Sequence, residues 1–96
     1  MEKIKLNTYI DHTLLKAEAS PAQIIRLCQE ARQYQFASCC VNTGYAALVH
    51  KELEGSGVKT CCVIGFPLGA MSTASKVFEA IDAIAQGAEE IDMVMN

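Results

Sequence analysis

Two acids stand in apolar surroundings in this sequence. Asp92 lies within Ile91-Asp92-Met93-Val94, and Asp11 within Tyr9-Ile10-Asp11-His12-Thr13-Leu14-Leu15. A carboxylate taken out of water is destabilised unless it is paired or hydrogen-bonded, so each is a candidate for proton transfer or for holding a polar ligand. An acid at position 92 that faces the interior of a sheet needs a cationic partner, and no lysine or arginine of the chain is an obvious one. The other reading of Asp92 is an acid pointing into solvent at a frayed edge. Asp11 reads equally as a site carboxylate or as one capping backbone groups at a strand end.

Thiols are the second chemical resource: Cys28, Cys39, Cys40, Cys61 and Cys62. Successive residues of a strand face opposite sides. Cys39-Cys40 and Cys61-Cys62 therefore cannot each close on one ion, as zinc ligands separated by two to four residues do. They read as small buried apolar residues, with a reactive thiol at one of them the more plausible chemistry, and Cys40, near a strand end, is placed to line a pocket. His12 must face away from Asp11 and reads as packed or partly exposed, His50 as a surface residue, and Lys16 as solvated or paired with Asp11 or Glu18. Gly65-Phe66-Pro67-Leu68-Gly69 carries neither the dinucleotide glycine pattern nor a Walker lysine. It reads as a tight loop shaping a pocket wall. The sequence has no Ser-His-Asp order, metalloprotease helix motif or nucleic-acid motif.

These residues are carried by short apolar runs alternating with amphipathic ones. Tyr9 to Leu15 is the first expected strand. Ser20-Pro21 supplies a helix N-cap and a proline at the first helical position, and Ile24, Leu27, Cys28 and Ala31 recur at helical spacing, which predicts a helix from Pro21 to about Gln35. Phe36 to Val41 is a buried strand. Tyr45, Leu48, Val49 and Leu53 form the next helical face, ended by Gly55-Ser56-Gly57, and Val58 to Ile64 is the third strand. Ser72 or Thr73 caps a helix whose buried face is expected at Val77, Ala80, Ile81 and Ile84, and Gly87 closes it. Glu90 to Met95 is the fourth strand. Alternation of this kind implies parallel strands joined by right-handed crossovers, with function at their carboxyl ends. Periodicity does not choose between a (β/α)8 barrel and an open doubly wound sheet.

Composition bounds the rest. The chain has 96 residues, 51% hydrophobic and 20% charged, with a formal net charge of -3. That excludes disorder and argues against a polyanion binder, which needs clustered positive charge. No apolar run reaches the roughly 18 to 20 residues that span a bilayer, and Met1 to Asn7 lacks the apolar stretch of a signal peptide. An odd number of cysteines without an export signal fits reduced thiols in a cytoplasmic protein. The chain stops on a run that reads as a strand, so the expectation is a domain cut short.

Six blocks, in order, resemble one family. They are Tyr9-Ile10-Asp11-His12-Thr13-Leu14-Leu15-Lys16, Phe36-Ala37-Ser38-Cys39-Cys40-Val41-Asn42, Gly57-Val58-Lys59, Val63-Ile64-Gly65-Phe66-Pro67-Leu68-Gly69-Ala70, Lys76-Val77-Phe78-Glu79-Ala80 and Gly87-Ala88-Glu89-Glu90-Ile91-Asp92-Met93-Val94. Together they are similar to deoxyribose-phosphate aldolase. Ala17, Thr43 and Met71 are small departures, the first two where the family commonly has proline.

The resemblance implies an α/β fold, the N-terminal half of a (β/α)8 TIM barrel, with residues 1–96 as one partial domain. It implies reversible cleavage of 2-deoxy-D-ribose 5-phosphate to D-glyceraldehyde 3-phosphate and acetaldehyde through a lysine Schiff base, with no metal or organic cofactor. A protonated imine withdraws electrons and stabilises the enamine that follows, and a lysine with a lowered pKa is needed to form it. Asp92 matches the family's acidic proton-relay residue, Cys40 a pocket-lining cysteine on the second strand, and Asp11 a carboxylate at the mouth of the first. The Schiff-base lysine belongs to the sixth strand and has no counterpart here; Lys16, Lys59 and Lys76 occupy other positions. The chain is therefore expected to be inactive alone. The partners expected are small phosphorylated sugars and aldehydes, and further copies of the chain through exposed half-barrel edges, with no nucleic acid and no membrane. The alternative is a non-catalytic, self-assembling half-barrel.

Overall fold

A computed structural model describes residues 11–16, 19–66, 69 and 71–94. The elements run β1 (Asp11–Leu14), α1 (Pro21–Tyr34), β2 (Ser38–Asn42), a 3-10 turn (Thr43–Tyr45), α2 (Ala46–Glu52), β3 (Lys59–Ile64), α3 (Thr73–Ala85) and β4 (Glu90–Met93). Tyr9, Ile10, Pro67, Leu68 and Met95 lie outside the described residues.

Local chemistry accounts for the boundaries. The Ser20 hydroxyl accepts from the Gln23 N–H while the Gln23 side chain accepts from the Ser20 N–H, a reciprocal capping box with Pro21 in the first turn. Gln35, at φ 53°, ends α1 in the left-handed region. That turn consumes Phe36 and Ala37, so β2 begins at Ser38, two residues later than expected. Ser72 caps α3 by accepting from the Ser75 N–H.

The four strands are parallel and lie in sequential order β1-β2-β3-β4. This order decides what periodicity left open. A doubly wound sheet reverses strand order at a switch point, which these strands lack. All three helices pack on one face, where Cys39, Val41, Cys62 and Ile64 meet Ile24, Leu27, Val49 and Ala83. The opposite face has its own small apolar cluster, Cys40, Cys61 and Val63 with Leu15 against it, and no helix residue among them. Sequential parallel strands with helices on the outer side only are the architecture of a partial (β/α)8 barrel. As expected, each adjacent cysteine pair is split between the two faces.

One expectation is overturned. Of the expected buried face of α3, Val77, Ala80, Ile81 and Ile84, Ala80 packs against the core, but Val77, Ile81 and Ile84 are 48%, 61% and 58% exposed. The sheet-facing stripe is Lys76, Ala80 and Ala83, one residue earlier at each turn, with Lys76 and Ala83 buried and Ala80 partly so. Two contacts set this rotation. Glu79 accepts from the Gly65 N–H at 2.8 Å and from the Thr43 hydroxyl at 3.1 Å. Lys76 lies so close to Gly65 that a Cβ there would come within 3.2 Å of its Cε. Helical spacing finds an apolar stripe but cannot tell which neighbour it faces.

Candidate functional site

The inner face of the sheet can be read as rows of register. Asp11, Ser38 and Lys59 form the amino-terminal row. Thr13, Cys40, Cys61 and Glu90 form the next row on this face, and Asn42, Val63 and Asp92 the one at the carboxyl ends. These alternate residues share a face because strand side chains alternate.

Asp92 stands in the carboxyl-terminal row on β4, an edge strand among the described residues, and is exposed. Its side chain lies on the side of the sheet away from the helices, the face it shares with Val63. No ion pair to Asp92 forms among the described residues; the one salt bridge there joins His12 to Glu30 at 3.7 Å on the helix-covered side.

Cys40 is 6% exposed, and its Sγ lies 3.3 Å from that of Cys61. In the neutral pair the Cys40 thiol donates to Cys61. Once one proton leaves, the Cys61 thiol donates to the Cys40 thiolate. This hydrogen bond holds Cys40 below the ordinary thiol range, against burial and against the negative charges of Asp92 and Asp11. Cys61 is pushed far up by the same bond, then by burial.

Asp11 is not at the carboxyl-terminal mouth of its strand. It pairs in register with Ser38, the first residue of β2, and its Oδ1 accepts from the Ser38 hydroxyl at 2.7 Å. It lines a cavity of about 350 Å3 at the amino ends of the strands with Phe36, Ala37, Gly57, Lys59 and Glu90. Along a strand, four residues separate the Ser38 and Asn42 rows, roughly 13 Å. A larger groove, about 450 Å3, runs along the exposed side of α3 beside Met71, Phe78 and Asp82, away from all three predicted residues.

Three residues escaped sequence reasoning: Ser38, Cys61 and Glu79. Cys61 was legible in principle, because if β2 and β3 are neighbours in parallel register, one thiol of each adjacent pair must share a face. Asn42 also has a positioning role: its Nδ2 donates to the Leu15 carbonyl at 3.1 Å, tying the exit of β1 to the carboxyl end of β2. His12 is packed, as expected, edge-on to Phe36 with ring centroids 5.0 Å apart. His50 is exposed, as expected, but also covers Gly87. Among the described strand residues Lys59 is the one lysine, and it stands in the amino-terminal row. No group of three or more metal-ligating side chains occurs among the described residues. No helix among them is long and apolar enough to cross a membrane.

The chemistry available is a solvent-facing carboxylate at the carboxyl-terminal row, a thiol pair in the row before it and no amine in the carboxyl-terminal row among the described strands. No family model matches the chain. It is 60% identical over 93 residues to the deoxyribose-phosphate aldolase of Clostridium novyi, covering 97% of this chain and 42% of that one. Its fold superposes with a TM-score of 0.94 on a Coccidioides immitis protein assigned as a deoxyribose-phosphate aldolase, at 46% identity, covering 96% of this chain and 36% of that one. Against the tetrameric deoxyribose phosphate aldolase of Aeropyrum pernix the TM-score is 0.87 at 37% identity, covering 94% and 38%. The chain spans about two fifths of the length of the curated relatives it matches. In sequence along nearly all of its length, and in fold, the chain is thus similar to deoxyribose-phosphate aldolases, of which it spans less than half.

Proposed function

We propose that residues 1–96 form the first half of a cytoplasmic class I aldolase barrel acting on 2-deoxy-D-ribose 5-phosphate. In this reading Asp92 moves protons between substrate and enamine, with Cys40 and Asp11 shaping the polar wall below it. The observation that carries the reading is Asp92 on the open inner face, at the carboxyl ends of sequential parallel strands, in a chain so similar to aldolases. An exposed carboxylate there can take and return a proton without the penalty of full burial. The Schiff-base lysine expected on a sixth strand lies outside this set of strands, so the chain alone does no retro-aldol chemistry. Borohydride reduction in the presence of 2-deoxyribose 5-phosphate tests this: no saturable, single-site lysine adduct is expected. One such adduct on the isolated chain contradicts the reading.

A second reading, self-association, is favoured by a separate observation. Phe78 is 74% exposed beside Val77, Ile81 and Ile84, and Met93 is 40% exposed on β4. A contiguous apolar stripe next to an edge strand invites another chain. We propose that copies of the chain pair through this edge. Gel filtration at micromolar concentration is expected to show a dimer or larger species, and a monomer counts against it.

A further inference from the structure

Cys40 and Cys61 are directly opposed in the parallel register of β2 and β3. Their Sγ atoms are 3.3 Å apart, and neither cysteine is in a disulfide. Neighbouring strands run about 4.8 Å apart, within the Cα separation of roughly 4.4 to 6.8 Å that a disulfide tolerates. An S–S bond is about 2.05 Å long, so closing the pair needs an approach of little more than about 1 Å.

Access separates this pair from the other thiols. Cys40 and Cys61 are 6% and 8% exposed on the face without helices, whereas Cys28, Cys39 and Cys62 are 0% exposed beneath them. A small oxidant arriving at the open face meets Cys40 and Cys61 first.

We propose that Cys40 and Cys61 form a redox-active dithiol, which hydrogen peroxide converts to a disulfide across the inner face of the sheet. The Cys40 thiolate attacks one peroxide oxygen, breaking the O–O bond and forming a sulfenic acid; the hydroxide released takes up a proton and leaves as water. The Cys61 sulfur then attacks the sulfenic sulfur. The S–S bond forms, hydroxide departs, and it takes the Cys61 proton to become a second water. Two thiols lose two electrons and the peroxide gains them. Cys40 is the attacking sulfur because the Cys61 thiol stabilises its thiolate by hydrogen bonding. The bond locks β2 to β3 one row below Asp92. This inference stands on geometry and holds whether or not the chain is part of an aldolase.

The test is stoichiometric hydrogen peroxide on the native 96-residue chain, quenching of residual thiols with N-ethylmaleimide, and non-reducing peptide mapping with fragment ions that separate adjacent cysteines. The expected result is a linked pair joining Cys40 to Cys61, an intact mass lower by two hydrogens before alkylation, and reversal by dithiothreitol. The double variant Cys39→Ala/Cys62→Ala keeps the link. Cys61→Ser abolishes it and leaves Cys40 as a sulfenic acid that dimedone traps. Linkage of Cys28 to Cys39 instead overturns the proposal, as does full alkylation of both Cys40 and Cys61 after peroxide treatment of the wild-type chain.

Discussion

The Glu79 carboxylate accepts the backbone N–H of Gly65 at 2.8 Å, which fixes α3 to the loop leaving β3. Its second oxygen takes the Thr43 hydroxyl from the loop leaving β2. One side chain thus holds two strand exits on the side where the candidate site lies. Gly65 is buried, so its N–H has no ready substitute in water. Glu79→Ala is expected to lower stability by about 1–3 kcal/mol, the range for stranding a buried donor. Glu79→Gln, whose amide oxygen still accepts, should lose less. Urea midpoints measured at constant slope check both.

Gly87 sits at φ 114°, and a Cβ there would lie 2.5 Å from the His50 Cγ. Both backbone and space therefore call for glycine. Gly87→Ala is expected to destabilise by about 1–3 kcal/mol from its backbone conformation, plus a clash. In a double-mutant cycle with His50→Ala, the ring part of the clash should go, while the contact to the Cβ of residue 50 at 2.7 Å and the backbone cost should remain. An unchanged thermal midpoint in Gly87→Ala contradicts this.

Burial raises the Cys62 thiol from its ordinary 9.0 to about 11. A group whose folded pKa is raised stabilises the fold fully below its unfolded pKa. That contribution is lost as pH climbs through the folded value. Stability should thus fall between about pH 9 and pH 11 as the unfolded chain ionises first. Cys62→Ala, though less stable at neutral pH because it leaves a cavity, should show a shallower alkaline loss. Denaturant midpoints across that range, under reductant, check the sign.

The exposed stripe on α3 makes a separate prediction. Phe78→Lys and Ile81→Lys remove no core contact, so the folded chain should change by less than about 0.5 kcal/mol. Self-association, measured by sedimentation, should weaken in both. Unfolding of these variants at neutral pH would show that the residues are needed within one chain.

Alternation and helical spacing made most of the fold legible. Ser20-Pro21 marked the start of α1 to the residue, and the adjacent cysteines announced two-sided burial of β2 and β3. Strand order was not legible, because it depends on which edges meet and the spacing of apolar residues is blind to that. The rotation of α3 escaped for a related reason: Val77, Ile81 and Ile84 outscore Lys76, Ala80 and Ala83 in hydrophobicity, yet the small alanines are what let the helix approach the sheet. In the site, Asp92 was visible as an acid in an apolar run. Asp11 was visible by type but not by row, since only the pairing with Ser38 shows which end of the sheet it occupies. The role of Glu79 was not legible, because it depends on two loops, at Thr43 and Gly65, converging on one side chain.

The central claim, an aldolase half-barrel whose relay acid is Asp92, is tested most directly by complementation. The chain is mixed with a separately produced second half of an aldolase barrel from a relative, and cleavage of 2-deoxyribose 5-phosphate is followed by release of glyceraldehyde 3-phosphate. The account predicts no activity from this chain alone, activity from the mixture, and loss of at least about 100-fold when Asp92→Asn replaces the wild-type chain. Retro-aldol turnover by the isolated chain, or a mixture in which Asp92→Asn is as active as wild type, would contradict it.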